Sequence, residues 1–395
     1  APAAPRPPGH IRNLTKERCD ARDTSRQPPF ASPLPTVTGP SIPSNMRARS
    51  LVVSFALWTG VTVTSSSTPV PLIVDTDIGG GGCKDVDDVA ALCMAHALAD
   101  NGEADLLAVL QNTSPQPCAG VIGVINTYYG RPDLPIGAYK GTDLDPDASY
   151  LEYVDDLVAN FPSTVKNASQ VPDSVAVYRQ ALVDADDHSV AISSIGLLTN
   201  LKALLMSEAD DISPLSGYDL VAQKVKTLAV MGGKYPSSSD GSECNFCGCA
   251  WASASDAATA AAATAYVVEN MPPQVTVLYS GFEIGIEVQS GGTLSTCASV
   301  DNPCRRAFED YEGGENLSRF SWDPLSTLAA VRGVEGASCE LSGDDGINTA
   351  DAATGNNAWV SGAPTNQTYL YLTDATAAGN SIDELLCQTP VAQRR

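Results

Sequence analysis

The chain has 395 residues and is strongly acidic, because 46 Asp and Glu residues against 23 Lys and Arg residues give a formal net charge of −23 at pH 7. The first 66 residues hold 8 of the basic residues and 3 of the acidic ones, so the remainder carries about −28. A surface of that sign repels nucleic-acid phosphate and anionic lipid. Neither a nucleic acid nor a membrane surface is therefore expected as a partner.

Two segments at the start of the sequence are expected to lie outside the folded domain. Residues 1–45 are rich in Pro, Arg, Ser and Thr without an apolar period, which is typical of a disordered or non-mature leader. Residues 46–67 run from a methionine through two arginines and an apolar stretch to small polar residues, which predicts a secretory signal peptide. The alternative is a membrane anchor, but the stretch is shorter than the roughly 20 residues that span a bilayer.

The cysteine count agrees with secretion. Removing the leader takes Cys19 with it and leaves ten of eleven cysteines, an even number that suggests disulfides in a secreted chain. The sequence CNFCGC at 244–249 would suggest zinc in a reducing compartment, whereas disulfides are favoured after secretion. Cys83 could tether its own loop through a disulfide, and Cys297 and Cys304 could close a small loop.

From residue 68 onward, short apolar runs alternate with segments of helical period. The predicted strands span 71–77, 105–112, 134–140, 189–195, 225–232 and 274–281. The predicted helices span 89–99, 120–129, 171–185, 198–206, 255–270 and 325–332. Several strands are apolar on successive residues, as expected for burial on both faces. The pattern predicts a single α/β domain over 68–395, with an open, mostly parallel, doubly wound (Rossmann-like) sheet and helices on both faces.

Five aspartates surround a run of four glycines directly after the first predicted strand: Asp75, Asp77, Asp85, Asp87 and Asp88. Ligands of such sheets bind beyond the carboxyl ends of the strands. One or two of these acids could simply cap the next helix. A cap does not explain the whole group, because two like charges 4 Å apart repel by about 1 kcal/mol in water and roughly 4 kcal/mol near a protein surface. The group predicts a hard cation bound by oxygen, either calcium or magnesium.

This acidic motif, VDTDIG followed by DVDDVAAL, resembles the N-terminal motif of the inosine-uridine-preferring nucleoside hydrolase family. Further segments similar to that family follow in its order over about residues 70–390: LQNTS, IGLLTNL, VMGGKY, ECNF, SGFEIG, SWDPLSTLAAV and SIDELLCQTP. The resemblance implies the nucleoside hydrolase fold and hydrolysis of the N-glycosidic bond of ribonucleosides to a free base and ribose. It also makes a nucleoside the expected partner and a homo-oligomer a further expectation by analogy.

The resemblance implies a calcium site and assigns residues to it. The ligands would be Asp77, Asp88, the backbone carbonyl of Thr199, and Asp323. The ion would also bind two ribose hydroxyls and a water, from which Asp77 would take a proton as the catalytic base. Asp75 would support the loop.

The resemblance also assigns the substrate contacts. Asp87 would hydrogen-bond the ribose, and Asn112, Glu243 and Asn245 match further ribose contacts. Some family members have a histidine directly before the late metal ligand, where it protonates a purine base, but Trp322 occupies that position here. Trp322 could stack on a base or belong to the core, and the group that protonates the leaving base stays open.

The sequence also carries N-x-S/T acceptors, which fit a secreted route; they begin at Asn112, Asn167, Asn316 and Asn366. A residue that contacts ribose cannot carry a glycan, so the acceptor at Asn112 is expected to be unused. His96 and His188 lie outside the motifs and are expected to be structural.

The match departs from the family in the loop before the second acidic group. Nine residues, 78–86, separate Asp77 from Asp87, which is more than the family's usual loop. Asp85 could therefore replace Asp87 or Asp88, and the glycines could form a flexible insertion. The alternative functions are a non-catalytic secreted protein that binds a ribosyl ligand and, less favoured, a DxD phosphatase with Asp75 as nucleophile.

Overall fold

The computed structural model describes residues 68–238, 243–248, 252–343, 345–362 and 365–394. The expected leader (1–45) and signal peptide (46–67) lie outside the described residues. Within the described ranges, no helix has both the length and the apolar character needed to cross a bilayer.

The strands are numbered in chain order. They are β1 (Val70–Thr76), β2 (Ala104–Gln111), β3 (Ile136–Ala138), β4 (Val190–Ser194), β5 (Val225–Met231), β6 (Thr276–Ser280), β7 (Gln289–Ser290), β8 (Arg319–Phe320), β9 (Cys339–Ser342), β10 (Gly346–Ala350), β11 (Asn357–Ser361) and β12 (Gln367–Leu372).

Eight strands form one open sheet in the order β3-β2-β1-β4-β5-β6-β12-β9. Every neighbouring pair is parallel except β12 and β9, which are antiparallel at one edge. The chain moves outward from β1 in one direction to β2 and β3, and in the other direction to β4 and beyond. Such a reversal of strand order opens a crevice at the carboxyl ends of the central strands, where ligands bind in sheets of this kind.

The helices cover both faces of the sheet. They are α1 (Asp87–Asp100), α2 (Cys118–Tyr128), α3 (Glu152–Asn160), α4 (Ser174–Asp184), α5 (Thr199–Met206), α6 (Gly217–Lys224), α7 (Cys244–Cys247), α8 (Ala254–Asn270), α9 (Phe282–Gly285), α10 (Leu294–Cys297), α11 (Pro303–Glu312), α12 (Trp322–Gly336) and α13 (Ala375–Leu386).

Two apolar cores lie on the opposite faces of this sheet. Successive side chains of a strand point to opposite faces, so Leu72 and Val74 of β1 join one core while Ile73 joins the other. Helices α1, α2, α12 and α13 pack into the first core, and α4, α5, α6 and α8 into the second. Each fully buried Leu, Ile or Val stabilises the fold by about 1.5–3 kcal/mol relative to an exposed one. The predicted doubly wound α/β sheet is therefore confirmed.

His96 lies in the first of these cores. It is fully buried, its Nε2 lies 2.9 Å from Asn126 Oδ1, and its ring stacks on Tyr129. Burial lowers the pKa of His96 to about 3, so the imidazole is neutral at physiological pH. A neutral, fully enclosed imidazole of this kind has a structural role, as the sequence indicates.

Disulfides link distant parts of the chain. Those that join described residues are Cys83–Cys244, Cys93–Cys304 and Cys297–Cys387. The expected tether at Cys83 is confirmed, whereas the expected small loop between Cys297 and Cys304 is wrong, because each of these cysteines bonds to a distant partner. Cys118 and Cys339 are buried and outside any disulfide. The long pairing of Cys93 with Cys304 fastens α1 to α11, and no sequence signal distinguishes it from the alternatives.

Candidate functional site

Polar side chains converge beyond the carboxyl ends of the central strands. Asp75 and Asp77 lie at the end of β1, and Asn112 directly follows β2. Thr199 begins α5 after β4, and Glu243 follows the end of β5. All of these residues are at most 5% exposed. The sheet therefore gathers, in a buried region, side chains that are far apart in the sequence.

Three carboxylates form the most concentrated group in this region. Asp87, Asp88 and Asp323 each offer an oxygen, and these oxygens lie within 4.8 Å of one another. The three residues are at most 2% exposed. Buried carboxylates this close repel one another strongly unless they are protonated or share a cation. Oxygen ligands of this type suit a hard divalent ion such as calcium.

The N-termini of two helices meet at this group. Asp87 and Asp88 lie in the first turn of α1, and Asp323 lies in the first turn of α12. Asp87 Oδ2 accepts hydrogen bonds from the backbone N–H groups of Trp322 at 3.1 Å and Asp323 at 3.2 Å. Helix N-termini stabilise negative charge through their free N–H groups and dipoles. The fold thus places the three acids next to helix N–H groups that carry partial positive charge.

The structure brings together two members of the expected calcium-ligand set, Asp88 and Asp323. It adds Asp87, for which the resemblance implies a ribose contact instead. Asp77 is not part of the group defined by the 4.8 Å distance. Its Oδ2 accepts a hydrogen bond from the Cys83 backbone N–H at 2.5 Å. Thr199 lies at the start of α5, where its Oγ1 donates to the carbonyl of Asn112 at 2.6 Å.

The glycine run that follows Asp77 packs closely against its surroundings. Gly79, Gly80 and Gly81 have φ values of +87°, +124° and +86°, which residues with a side chain rarely adopt. A Cβ on Gly82 would lie only 2.4 Å from Asp77 Oδ2. All four glycines are buried. Glycine is required here by backbone conformation and close approach.

Asp75 organises a hydrogen-bond network beneath the site. Its Oδ1 accepts from Asn112 Nδ2 at 3.2 Å and from Asn200 Nδ2 at 2.9 Å, and its Oδ2 accepts from the Tyr178 hydroxyl at 2.9 Å. Burial raises the pKa of Asp75 to about 7, against the lowering effect of these three bonds. These contacts orient Asn112, whose Oδ1 is buried with no hydrogen-bond partner among the described residues. An oriented amide oxygen of this kind can accept a hydrogen bond from a ligand.

Sequence reasoning missed Asn200 and Tyr178 as members of this network. Asn200 lies within the segment IGLLTNL, so the resemblance offered a signal for it. Tyr178 lies in α4, 103 residues from Asp75, and nothing in its surrounding sequence marks it. Only the packing of α4 beneath the sheet brings its hydroxyl to the carboxylate.

Glu243 and Asn245 are held by backbone contacts after β5. Glu243 accepts from the N–H of Gly233 at 3.0 Å and from the N–H of Asn245 at 2.8 Å. Asn245 Nδ2 donates to the carbonyl of Met231 at 3.1 Å. Both side chains are 2% exposed, and the positions that the resemblance assigns to ribose contacts are therefore rigidly supported.

Trp322 belongs to an aromatic cluster. It is 1% exposed, its Nε1 donates to the carbonyl of Phe282 at 2.9 Å, and its ring stacks on Phe282 with centroids 5.5 Å apart. These contacts agree with the interpretation that Trp322 belongs to the core. Its stacking on a substrate base stays a prediction, which would require the ring to be uncovered.

The comparisons with known proteins bear on the fold. No protein-family model matches the chain, and no curated protein does. Solved structures match: a plant nucleoside hydrolase is 17% identical with a TM-score of 0.55, covering 81% of this chain and 99% of its own. The fold is that of the nucleoside hydrolases.

Two further structures share the nucleoside hydrolase fold. A purine-preferring ribonucleoside hydrolase from Gardnerella vaginalis is 13% identical with a TM-score of 0.56, covering 80% of this chain and 98% of its own. The type III effector protein XopQ, complexed with adenosine diphosphate ribose, is 15% identical with a TM-score of 0.55, covering 82% of this chain and 94% of its own. The structure thus confirms the fold that the sequence resemblance implies.

Proposed function

We propose that this protein is a secreted, calcium-dependent nucleoside N-ribohydrolase that releases a free base and ribose. The observation that carries the proposal is the buried group of Asp87, Asp88 and Asp323 at the carboxyl edge of a nucleoside hydrolase fold. Calcium fits here because Asp88 and Asp323 offer charged, buried oxygens that are close together, and Asp87 adds a third negative charge beside them. The disulfides support the secreted route.

The calcium ligands in this proposal are Asp77, Asp88, the Thr199 carbonyl and Asp323. When bound, calcium lowers the pKa of a water and neutralises the crowded carboxylates. Asp77 takes a proton from the attacking water, which adds to the anomeric carbon. The bond between this carbon and the base nitrogen breaks, its electron pair leaves with the base, and the base gains one proton while Asp77 loses one, so that one water is consumed overall.

In this proposal, the residues that contact ribose are Asp87, Asn112, Glu243 and Asn245. Cleavage of the N-glycosidic bond builds positive charge on the ribosyl ring, as in other glycoside hydrolyses. A pocket lined with carboxylates and amide oxygens stabilises that charge more strongly in the transition state than in the ground state. Rigid support from backbone and amide contacts avoids reorganisation at the moment of reaction.

Ribose release from a panel of purine and pyrimidine ribonucleosides tests this proposal. We expect release that stops when calcium is removed by a chelator and returns when calcium is restored. An Asp88→Asn variant should be inactive in the same assay. Full activity of the chelated protein would contradict the calcium dependence, and phosphate release from phosphate esters would favour the phosphatase alternative.

A second candidate function is a non-catalytic protein that binds a ribosyl ligand. The observation that favours it is Trp322, which occupies the position of the histidine in some family members and packs in the core. Tight binding of ribose or of adenosine diphosphate ribose without turnover of any nucleoside would select this candidate. Measurable ribose release would reject it.

A further inference from the structure

The Cys83–Cys244 disulfide lies inside the candidate site. The two cysteines are 161 residues apart in sequence. Cys83 ends the glycine run that follows Asp77, whereas Cys244 lies between Glu243 and Asn245. The bond therefore joins the segment that carries the proposed catalytic base to the segment that carries two proposed ribose contacts.

One end of the disulfide, Cys83, contacts two residues of the site. The backbone N–H of Cys83 donates to Asp77 Oδ2 at 2.5 Å, and Cys83 Sγ lies 3.1 Å from Asn245 Oδ1. Cys83 is 3% exposed. A displacement of Cys83 would therefore move a hydrogen-bond donor of Asp77 and a neighbour of Asn245 at the same time.

The first half of the glycine loop is held by hydrogen bonds. Thr113 Oγ1 donates to the Gly80 carbonyl at 2.8 Å, and the Leu151 N–H donates to the Gly79 carbonyl at 2.8 Å. The second half, Gly81 to Cys83, is covalently linked to the Glu243–Asn245 segment. Glycine loses more conformational freedom on ordering than any other residue, so a cross-link at the end of a glycine run has a large effect on how well the run is ordered.

We infer that the Cys83–Cys244 disulfide positions Asp77, Glu243 and Asn245 relative to one another, so that its reduction weakens calcium binding and ribosyl-substrate binding without unfolding the protein. The inference rests on the proposed function. In the reduction, a dithiol is oxidised to its own disulfide while the bond between the two sulfurs breaks and each sulfur gains one hydrogen. Reoxidation reverses the loss.

The chain provides a matched control. Cys297–Cys387 links the end of α10 to the residue after α13, and neither cysteine belongs to the candidate site. A C297S/C387S variant therefore removes a long-range disulfide of the same chemistry without touching Asp77 or Asn245. Comparing C83S/C244S with C297S/C387S distinguishes an effect on the positions of the site residues from the general effect of losing a cross-link.

The test compares wild type, C83S/C244S and C297S/C387S. Titration calorimetry measures their calcium affinity, and a ribose-release assay measures kcat and KM. Circular dichroism checks that each protein is folded. We expect C83S/C244S to fold and to show at least about tenfold weaker calcium binding and a higher KM, since loss of groups that support metal ligands typically costs 10–100-fold in affinity. The calcium affinity and the KM of C297S/C387S should stay within about twofold of the wild-type values.

Wild type treated with a dithiol should acquire the same weak calcium binding and recover it on reoxidation, while C83S/C244S should not respond. Unchanged calcium affinity in folded C83S/C244S would overturn the inference, and so would unfolding of C83S/C244S when the control folds. If wild type binds calcium but releases no ribose, only the proposed catalysis is wrong, because the calcium titrations still test the role of the disulfide.

Discussion

Asp85 and Arg319, 234 residues apart in the chain, form a buried bidentate salt bridge in which Arg319 Nε and Nη2 donate to the two carboxylate oxygens at 2.9 and 2.8 Å. The Asp85 side chain is 0% exposed and that of Arg319 is 10% exposed. The guanidinium also lies 5.6 Å from the centre of the Trp322 ring. The Asp85 carboxylate is thereby paired with a guanidinium, and Asp85 is not part of the group of Asp87, Asp88 and Asp323.

Replacing Arg319 by Met should lower the free energy of unfolding by about 3–5 kcal/mol, because it removes the guanidinium that compensates a buried carboxylate. A D85N/R319M double variant removes that charge and should recover part of the loss. Urea unfolding of wild type and both variants measures the effect. A loss below about 1 kcal/mol in R319M would place this pair among weak surface ion pairs.

Asp323→Asn should have opposite effects on stability with and without calcium. Without the ion, removing one of three crowded charges relieves repulsion, so the apo variant should unfold at the same or a higher temperature than wild type. With calcium, wild type should gain stability by mass action, whereas the variant should gain little.

Thermal unfolding at several calcium concentrations measures both effects of Asp323→Asn. Asp301→Asn is the matched control, because it removes an equal charge from an exposed position. Equal calcium-induced stabilisation of wild type and D323N would show that Asp323 is not a ligand.

Burial predicts which glycosylation acceptors can be used. Asn112 is 0% exposed and hydrogen-bonded to Asp75, so its acceptor should be unmodified in protein from a secretory eukaryotic host. Asn316 and Asn366 are exposed and accessible to a glycan. Mass spectrometry of glycopeptides checks the expectation, and a glycan on Asn112 would contradict the folded position of that side chain.

The sequence predicted the central strands β1 to β6 well, because buried parallel strands are apolar on successive residues. It missed β9 to β12, because each of these short strands has at most two buried residues and so lacks a continuous apolar run. The acids that follow β1 pointed to Asp88, whereas Asp323 came only from the family resemblance, and the structure brings both into one group of carboxylates.

Other contacts in the structure depend on tertiary packing alone. The bond of Asp85 to Arg319 joins a loop to β8, and that of Tyr178 to Asp75 joins α4 to β1, and no local pattern predicts either pairing. Disulfide pairing is similar, because any two cysteines are compatible in sequence until the fold brings their Cα atoms within about 7 Å. The Cys297–Cys387 bond, for example, depends on α10 lying against the end of α13.

Glu283, in the SGFEIG segment after β6, makes stability depend on pH. Its Oε2 accepts from the Tyr235 backbone N–H at 3.1 Å. Burial raises the pKa of Glu283 from 4.5 to about 7, and the nearby charge of Glu243 adds to the shift while Lys234 opposes it. The folded protein therefore holds a proton on Glu283 at pH values where the unfolded chain has lost it.

A raised carboxyl pKa contributes stability that is fully present below pH 4.5 and is lost as the pH rises towards 7. Glu283→Gln cannot titrate, although its amide oxygen can still accept from Tyr235, so this variant should not show that loss. Between pH 4.5 and 7 the wild type should lose roughly 2 kcal/mol relative to E283Q. Urea unfolding at four pH values across this range measures the difference, in which the titration of all other groups cancels. Parallel stability curves for the two proteins would mean that Glu283 keeps its ordinary pKa in the folded state and is open to water.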